Sequence, residues 1–445
     1  MQSDVNVSNQ IPPATAIETP NEIYDSKCNQ KFLTSVEQYK QTLKINQNIK
    51  KDLIMFVETR ASIGQLDRES DESFELALHI HKTFLDRNSE IKVAFLIGDA
   101  GSGKSLFCKY LQRAIFFDWE VQGDESPRWL PIYINLSNFE SFNMMEIISQ
   151  TLSAELNLTQ NEIALFQNVT ADEKIQFLFI FDGLEKGQKA RRWSSDSKSH
   201  KTILMAVNQS ENYWKNSKYI ITSQDKISSD IIDEEGLLTF NDKVSRRTFI
   251  EYNLQGFSDL EITAYLRKYA VLGDIYNFEE LVQTFSPTPL EDLSWSLVKD
   301  YEDIIDCFDL RELLRIPLLL RMASEVLPDL IDYNKQISIW DIYESFINKQ
   351  VEATVLKYLA GKSLNLMSIE DKGKVSLMRF IQQGLEQTAI ILSKYRYIAS
   401  KEERREDKEV LDELLHFCPV IQWDHSYRVS CIHRSIQEFL IAKKN

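Results

Sequence analysis

The chain has 445 residues with 51 Lys and Arg against 67 Asp and Glu, a formal net charge of -16, so it repels nucleic acid at long range and neither DNA nor RNA is an expected direct partner. Its cysteines, Cys28, Cys108, Cys307, Cys418 and Cys431, form no C-x-x-C pair and have no histidine at metal-ligand spacing, which excludes a disulfide framework and a zinc site. The first residues lack the basic start and apolar core of a signal peptide, and no apolar run reaches the roughly 18 residues of a membrane span, so a cytoplasmic protein is expected.

Residues 1–28 are polar, carry Pro12, Pro13 and Pro20, and show no periodicity, which predicts a disordered leader. Residues 29–90 read as a helical region, with Phe32, Val36, Tyr39 and Leu43 at helical spacing and a second helix bearing Phe74, Leu78, His81 and Leu85. Over 91–255 strands and helices alternate. The strand candidates are Ile91–Ile97, Leu130–Leu136, Ile175–Phe181, Lys218–Thr222 and Phe249–Leu254. Such alternation predicts an α/β unit with a parallel sheet and helices on both faces.

From 256 to 370 the pattern is helical throughout, with helices over Leu260–Tyr269, Leu310–Val326 and Ile339–Tyr358 and an irregular connection with short helices across Ala270–Asp309. Residues 371–445 carry helical patterns, a charged break at Lys401–Lys408 and a hairpin from Val420–Trp423 and Tyr427–Ser430, the outline of a winged-helix module. No internal repeat of 20 to 50 residues is present. The basic run Lys186–Trp193 reads as a solvated loop.

Two motifs carry chemistry. Gly98, Asp99, Ala100, Gly101, Ser102, Gly103, Lys104 and Ser105 match the phosphate loop G-x-x-x-x-G-K-[ST], with an apolar strand before it and Leu106, Tyr110 and Leu111 at helical spacing after it. The glycines let successive N–H groups face the phosphates, Lys104 adds positive charge, and the Ser105 hydroxyl can ligate Mg²⁺. The second motif is Phe177–Asp182, a buried apolar strand ending in the carboxylate that such a loop needs to hold Mg²⁺. Glu185 is the nearest carboxylate able to polarise an attacking water.

Together these pieces resemble the NACHT-domain NTPases of the STAND class. Phe179–Lys186 resembles that family's second nucleotide motif, Ile220–Gln224 its sensor strand, and Leu254–Ser258 the lead into its helical domain. Pro317, within Leu314–Leu320, matches the proline packed near the adenine, and Cys431–Leu440 resembles the winged-helix motif whose histidine, here His433, reaches the β phosphate of ADP. The resemblance implies ATP/ADP with Mg²⁺ as cofactors, bound by the loop with Leu106, Pro317 and His433. It further implies a homo-oligomer in the ATP state, an unknown protein trigger and effector, and a role in innate immune or antiviral signalling.

The sequence departs from the pattern where Lys186 replaces a second acid and Gln224 an arginine, which implies slow hydrolysis at most. Family members usually continue into repeats that sense the trigger; none is read here, so either the chain stops short of such repeats or sensing falls to the N-terminal helices or another protein. The alternative reading is an AAA+-like remodeller or loader. It predicts a glutamate directly after the strand aspartate, where this chain has Gly183.

Overall fold

The structure, a computed structural model, describes residues 20–45, 54–65, 68–69, 73–86, 88–122, 128–139, 143–169, 175–184, 214, 217–224, 239–240, 243–244, 249–273, 295–330, 337–361, 376, 378–386, 421–423, 429–431 and 434–444. The first half runs α1 (Pro20–Ile45), β1 (Arg60–Gln65), β2 (Arg68–Glu69), β3 (Phe74–Glu75), α2 (Leu76–His79), β4 (Val93–Ile97), α3 (Lys104–Gln122), β5 (Arg128–Asn135), α4 (Met144–Leu156), α5 (Gln160–Val169), β6 (Ile175–Asp182), β7 (Lys218–Ser223), β8 (Thr239–Phe240), β9 (Lys243–Val244) and β10 (Phe249–Leu254). Helices follow: α6 (Asp259–Gly273), α7 (Trp295–Cys307), α8 (Arg311–Leu314), α9 (Pro317–Leu330) and α10 (Ile339–Gly361), then β11 (Ile421–Trp423), β12 (Val429–Cys431) and α11 (Arg434–Lys444). Among the described residues no helix is long and apolar enough to cross a membrane.

The main sheet has the order β2-β1-β10-β4-β7-β6-β5, with β3 paired to β1. All pairings from β10 to β5 are parallel. Strand β4 is buried at every position, as a strand covered on both faces must be, and this is why its sequence is continuously apolar. Pleating sends alternate side chains to opposite faces. Val93, Phe95, Ile97, Phe177, Phe179, Phe181, Tyr219 and Ile221 pack with Phe32 and Val36 of α1 and Ile147, Ile148 and Leu152 of α4. Ala94, Leu96, Leu178, Ile180, Ile220 and Tyr252 pack with Phe107, Cys108 and Leu111 of α3 and with Leu76 and Ile80. The expected parallel sheet with helices on both faces is therefore observed, with strand limits within two residues.

Two N-terminal expectations are corrected. Helix α1 begins at Pro20, inside the stretch 1–28 read as a disordered leader. Proline lacks an N–H that the first helical turn would leave unbonded anyway, so Pro20 starts the helix rather than breaking it. The region 29–90 is also not wholly helical. Arg60–Gln65 is a strand, paired antiparallel to β10, and Phe74 belongs to β3 and not to the helix that follows. In β1 only Ala61 and Ile63 alternate as apolar residues toward the core, with Arg60 before them and Ser62 between them, too short a run to mark a strand in the sequence.

The helices after β10 build a separate core from Ile262, Leu266, Ile305, Leu320, Met322, Val326, Ile342 and Phe346, which also takes in Ile381 and Leu385. A capping box opens it: Ser258 N–H and its hydroxyl donate to Glu261 Oε2 at 2.6 and 2.7 Å. The helix expected across Leu310–Val326 is broken between Leu314 and Pro317, because a residue before proline is pushed out of helical geometry. Within Ala270–Asp309, expected as an irregular connection with short helices, α6 continues to Gly273 and α7 is a helix of 13 residues, while 274–294 lie outside the described residues. The hairpin forms as β11 and β12. Helix α11 packs into the helical core through Ile436, Phe439 and Leu440, with Phe439 stacked 5.3 Å from Tyr343.

At the amino end of β7 the Lys218 side chain is 3% exposed. Its ammonium donates to the carbonyls of Phe84, of Ser89 at 3.2 Å and of Asp86 at 3.4 Å, and lies 5.6 Å from the Trp129 ring. Burial first, then the charge of Lys92, draws its pKa from the ordinary 10.5 to about 7. The unfolded chain therefore keeps a proton that the folded chain releases, and stability should rise from about pH 7 toward pH 10.5. Urea unfolding across this range should show the rise in the wild type and not in Lys218→Met. At pH 7 that variant should lose about 1–3 kcal/mol, because the donor shared by the three carbonyls is gone.

Candidate functional site

The phosphate loop leaves β4 at Gly98, whose N–H donates to Ser223 O of β7 at 3.3 Å and so ties the loop to the next strand. Gly101 and Gly103 have φ of 83° and 94°, a region where a side chain is costly. Ser102 N–H closes the turn on Asp99 O at 3.2 Å, and Phe107 N–H donates to Gly103 O at 2.8 Å as α3 starts. A Cβ on Gly98 would sit 2.8 Å from Ser102 Oγ, whereas one on Gly103 would meet nothing within 4 Å. Open space thus lies over Gly103, at the amino end of a 19-residue helix, where the helix dipole and free N–H groups favour an anion.

Lys104 is 8% exposed, and its ammonium donates to Gly98 O at 2.5 Å and Asp99 O at 2.9 Å. Asp99 is exposed, while Ala100, Ser105 and Leu106 are half-buried. Ser102 Oγ is buried without a hydrogen-bond partner. An orphaned hydroxyl inside a loop of this shape fits a phosphate oxygen as acceptor.

Asp182 ends β6 on the same sheet face as α3 and is 2% exposed. Its Oδ2 accepts from the Tyr133 hydroxyl at 2.7 Å and its Oδ1 from Thr222 Oγ1 at 2.8 Å. The chain leaves Asp182 through Gly183, at φ 86°. Burial and then Asp182 push the Tyr133 hydroxyl well above its ordinary pKa. The same two causes raise the Cys108 thiol on α3, with Lys104 and Lys109 opposing them, so this buried thiol stays protonated and unreactive.

The donors that suit a divalent cation are the Ser105 hydroxyl and one carboxylate, Asp182, and no cluster of three or more His, Cys, Asp or Glu occurs among the described residues. Too few for an all-protein cage, they fit Mg²⁺, which keeps waters and phosphate oxygens as most of its ligands.

Pro317 opens α9 against the loop. Leu318 N–H donates to Gly101 O at 3.2 Å, and a Cβ on Gly101 would lie 3.1 Å from Leu318 Cβ and 3.2 Å from Ile316 Cγ2. Both neighbours of Pro317 therefore touch the loop. Phe257 N–H, just past β10, donates to Arg315 O at 2.7 Å and fixes the same turn to the end of the sheet. Glu185 and His433 lie outside the described residues. Sequence reasoning missed Tyr133, Ile316 and Leu318. Tyr133 occupies an ordinary strand position and the other two read as core residues, so no local signal marks them.

A loop of these glycines between a buried strand and a long helix, with a buried strand-end aspartate, is the site of a P-loop NTPase, and residues 92–271 match the model of the NACHT domain. The chain carries a NACHT domain. No curated protein matches the sequence. Solved structures similar to it include the Walker-type ATPase PABY2304 of Pyrococcus abyssi, at 13% identity and TM-score 0.35 over 82% of this chain and 94% of that one. The ORC2 protein of Aeropyrum pernix in its ADP form aligns at 14% identity and TM-score 0.38, over 83% and 92%. Drosophila ORC bound to DNA aligns at 11% identity and TM-score 0.31, over 100% and 97%. TM-scores this low establish no shared function.

The NACHT loop glycines should separate by substitution. Gly103→Ala meets only backbone strain and should cost about 1–2 kcal/mol. Gly101→Ala adds a clash with Ile316 and Leu318 and should cost a further 1–3 kcal/mol or so. Denaturant unfolding of the two variants checks this; equal losses would mean that α9 yields freely.

Proposed function

We propose that this chain is an ATP/ADP-binding NACHT switch in which the bound nucleotide decides whether the helical domain stays seated on the phosphate loop. The observation that carries the reading is the Leu318 N–H to Gly101 O hydrogen bond, 3.2 Å long, which joins the first turn of α9 to the loop expected to hold the phosphates. Nucleotide held by Gly98 to Leu106 would sit beside that junction. Pro317 would flank the base and His433 the β phosphate of ADP. Ser105 and Asp182 would hold Mg²⁺, which neutralises phosphate charge when bound. Glu185 would orient water for a slow hydrolysis, slow because Lys186 and Gln224 replace the acid and arginine that the family pattern has.

The proposed divisions are a nucleotide domain at 91–255, a helical domain at 256–370 and a terminal module at 371–445. Because α11 shares the core of α9 and α10, the last two move together. ADP closes them on the loop and ATP releases them, provided that each nucleotide binds one state more tightly; a tenfold difference is about 1.4 kcal/mol. Release would expose a surface for self-assembly, serving innate immune or antiviral signalling.

The test is to denature freshly purified protein and identify the nucleotide set free by chromatography. Stoichiometric ADP is expected, lost in Lys104→Ala and reduced in His433→Ala. Nucleotide-free protein that turns ATP over rapidly would sink the switch in favour of an ordinary ATPase.

A further inference from the structure

The carboxyl ends of three neighbouring strands are cross-linked by side chains through Asp182. Tyr133 of β5 donates its hydroxyl proton to Oδ2 at 2.7 Å, and Thr222 of β7 donates its own to Oδ1 at 2.8 Å. Thr222 Oγ1 also accepts from Gly183 N–H at 2.8 Å, so its single proton and a lone pair are both committed. Thr222 is 0% exposed, and the Lys109 ammonium lies 5.9 Å from the centre of the Tyr133 ring.

A carboxylate offers about four lone-pair sites. Two are taken by donors on opposite sides, which fixes the plane of the group and leaves the other two for an incoming ligand. A strand-end aspartate without such partners would lose side-chain entropy on meeting a metal. Here that loss has occurred on folding.

We propose that Tyr133 and Thr222 are positioning residues that hold Asp182 in the orientation needed for Mg²⁺, and that they set the Mg²⁺-dependent part of nucleotide affinity. The inference rests on the nucleotide reading above but is separable from it by experiment. Titrate the full chain with a fluorescent N-methylanthraniloyl ADP, once with Mg²⁺ and once with a chelator, for wild type, Tyr133→Phe, Thr222→Val and Thr222→Ser. Tyr133→Phe removes one oxygen and keeps the ring. It should hold chelator affinity within about twofold and lose about tenfold of the Mg²⁺ gain, the usual effect of removing a partner of a metal ligand.

Thr222→Val should lose the gain likewise, while Thr222→Ser, which keeps the hydroxyl, should retain it. The serine–valine comparison decides the matter if Tyr133→Phe does not fold. A full Mg²⁺ gain in both hydroxyl-deleted proteins would overturn the proposal. So would equal losses with and without metal, which would mark a purely structural role, or a wild type indifferent to Mg²⁺. A wild type that binds in neither buffer would defeat the nucleotide reading itself.

Discussion

The placement of β4 between two parallel partners is the constraint from which the site follows. With β7 on one side and β10 on the other, each strand paired residue by residue up to Ile97, the end of β4 cannot shift. The chain must then turn within the phosphate loop, and every later feature takes its position from that point. Ser223 receives the first loop N–H, Thr222 stands beside Asp182, and the exit of β10 brings Phe257 to the turn before α9. A sheet with an unpaired β4 edge would leave the loop a flexible tether.

Much of this was legible in the residues, for physical reasons that differ by element. Buried parallel strands such as Phe177–Asp182 declare themselves because both faces need apolar side chains. The loop declares itself because positive φ restricts Gly101 and Gly103. Strand β1 is hidden: its pairings with β10, β2 and β3 supply backbone hydrogen bonds that place no demand on side-chain type, and Ala61 and Ile63 are too short an apolar alternation to stand out. Pro20 and Pro317 show the same residue read two ways. Each begins a helix, and only what lies upstream decides whether a proline reads as a start or a break.

The partners of Asp182 were hidden for another reason. A tyrosine hydroxyl meeting a carboxylate 49 positions away is a product of strand order, and nothing near Tyr133 in the sequence anticipates it. Leu318 is similar, since its backbone N–H does the binding and any residue but proline would supply one. Sequence motifs therefore outline the groups aimed at a ligand. The groups that hold those in place come from topology.

The antiparallel pairing of β1 with β10 has a consequence for how the chain is made. Ala61 lies opposite Leu254, so during synthesis β1 leaves the ribosome long before its partner exists, with the whole nucleotide domain still to come. Long-range pairings of this kind form late and slow a fold. Meanwhile the strand must wait with an open edge, the situation that promotes aggregation. Arg60, Ser62, Gly64 and Gln65 make it a poor template for another chain, so the polarity that hides β1 from sequence reading also protects the nascent protein.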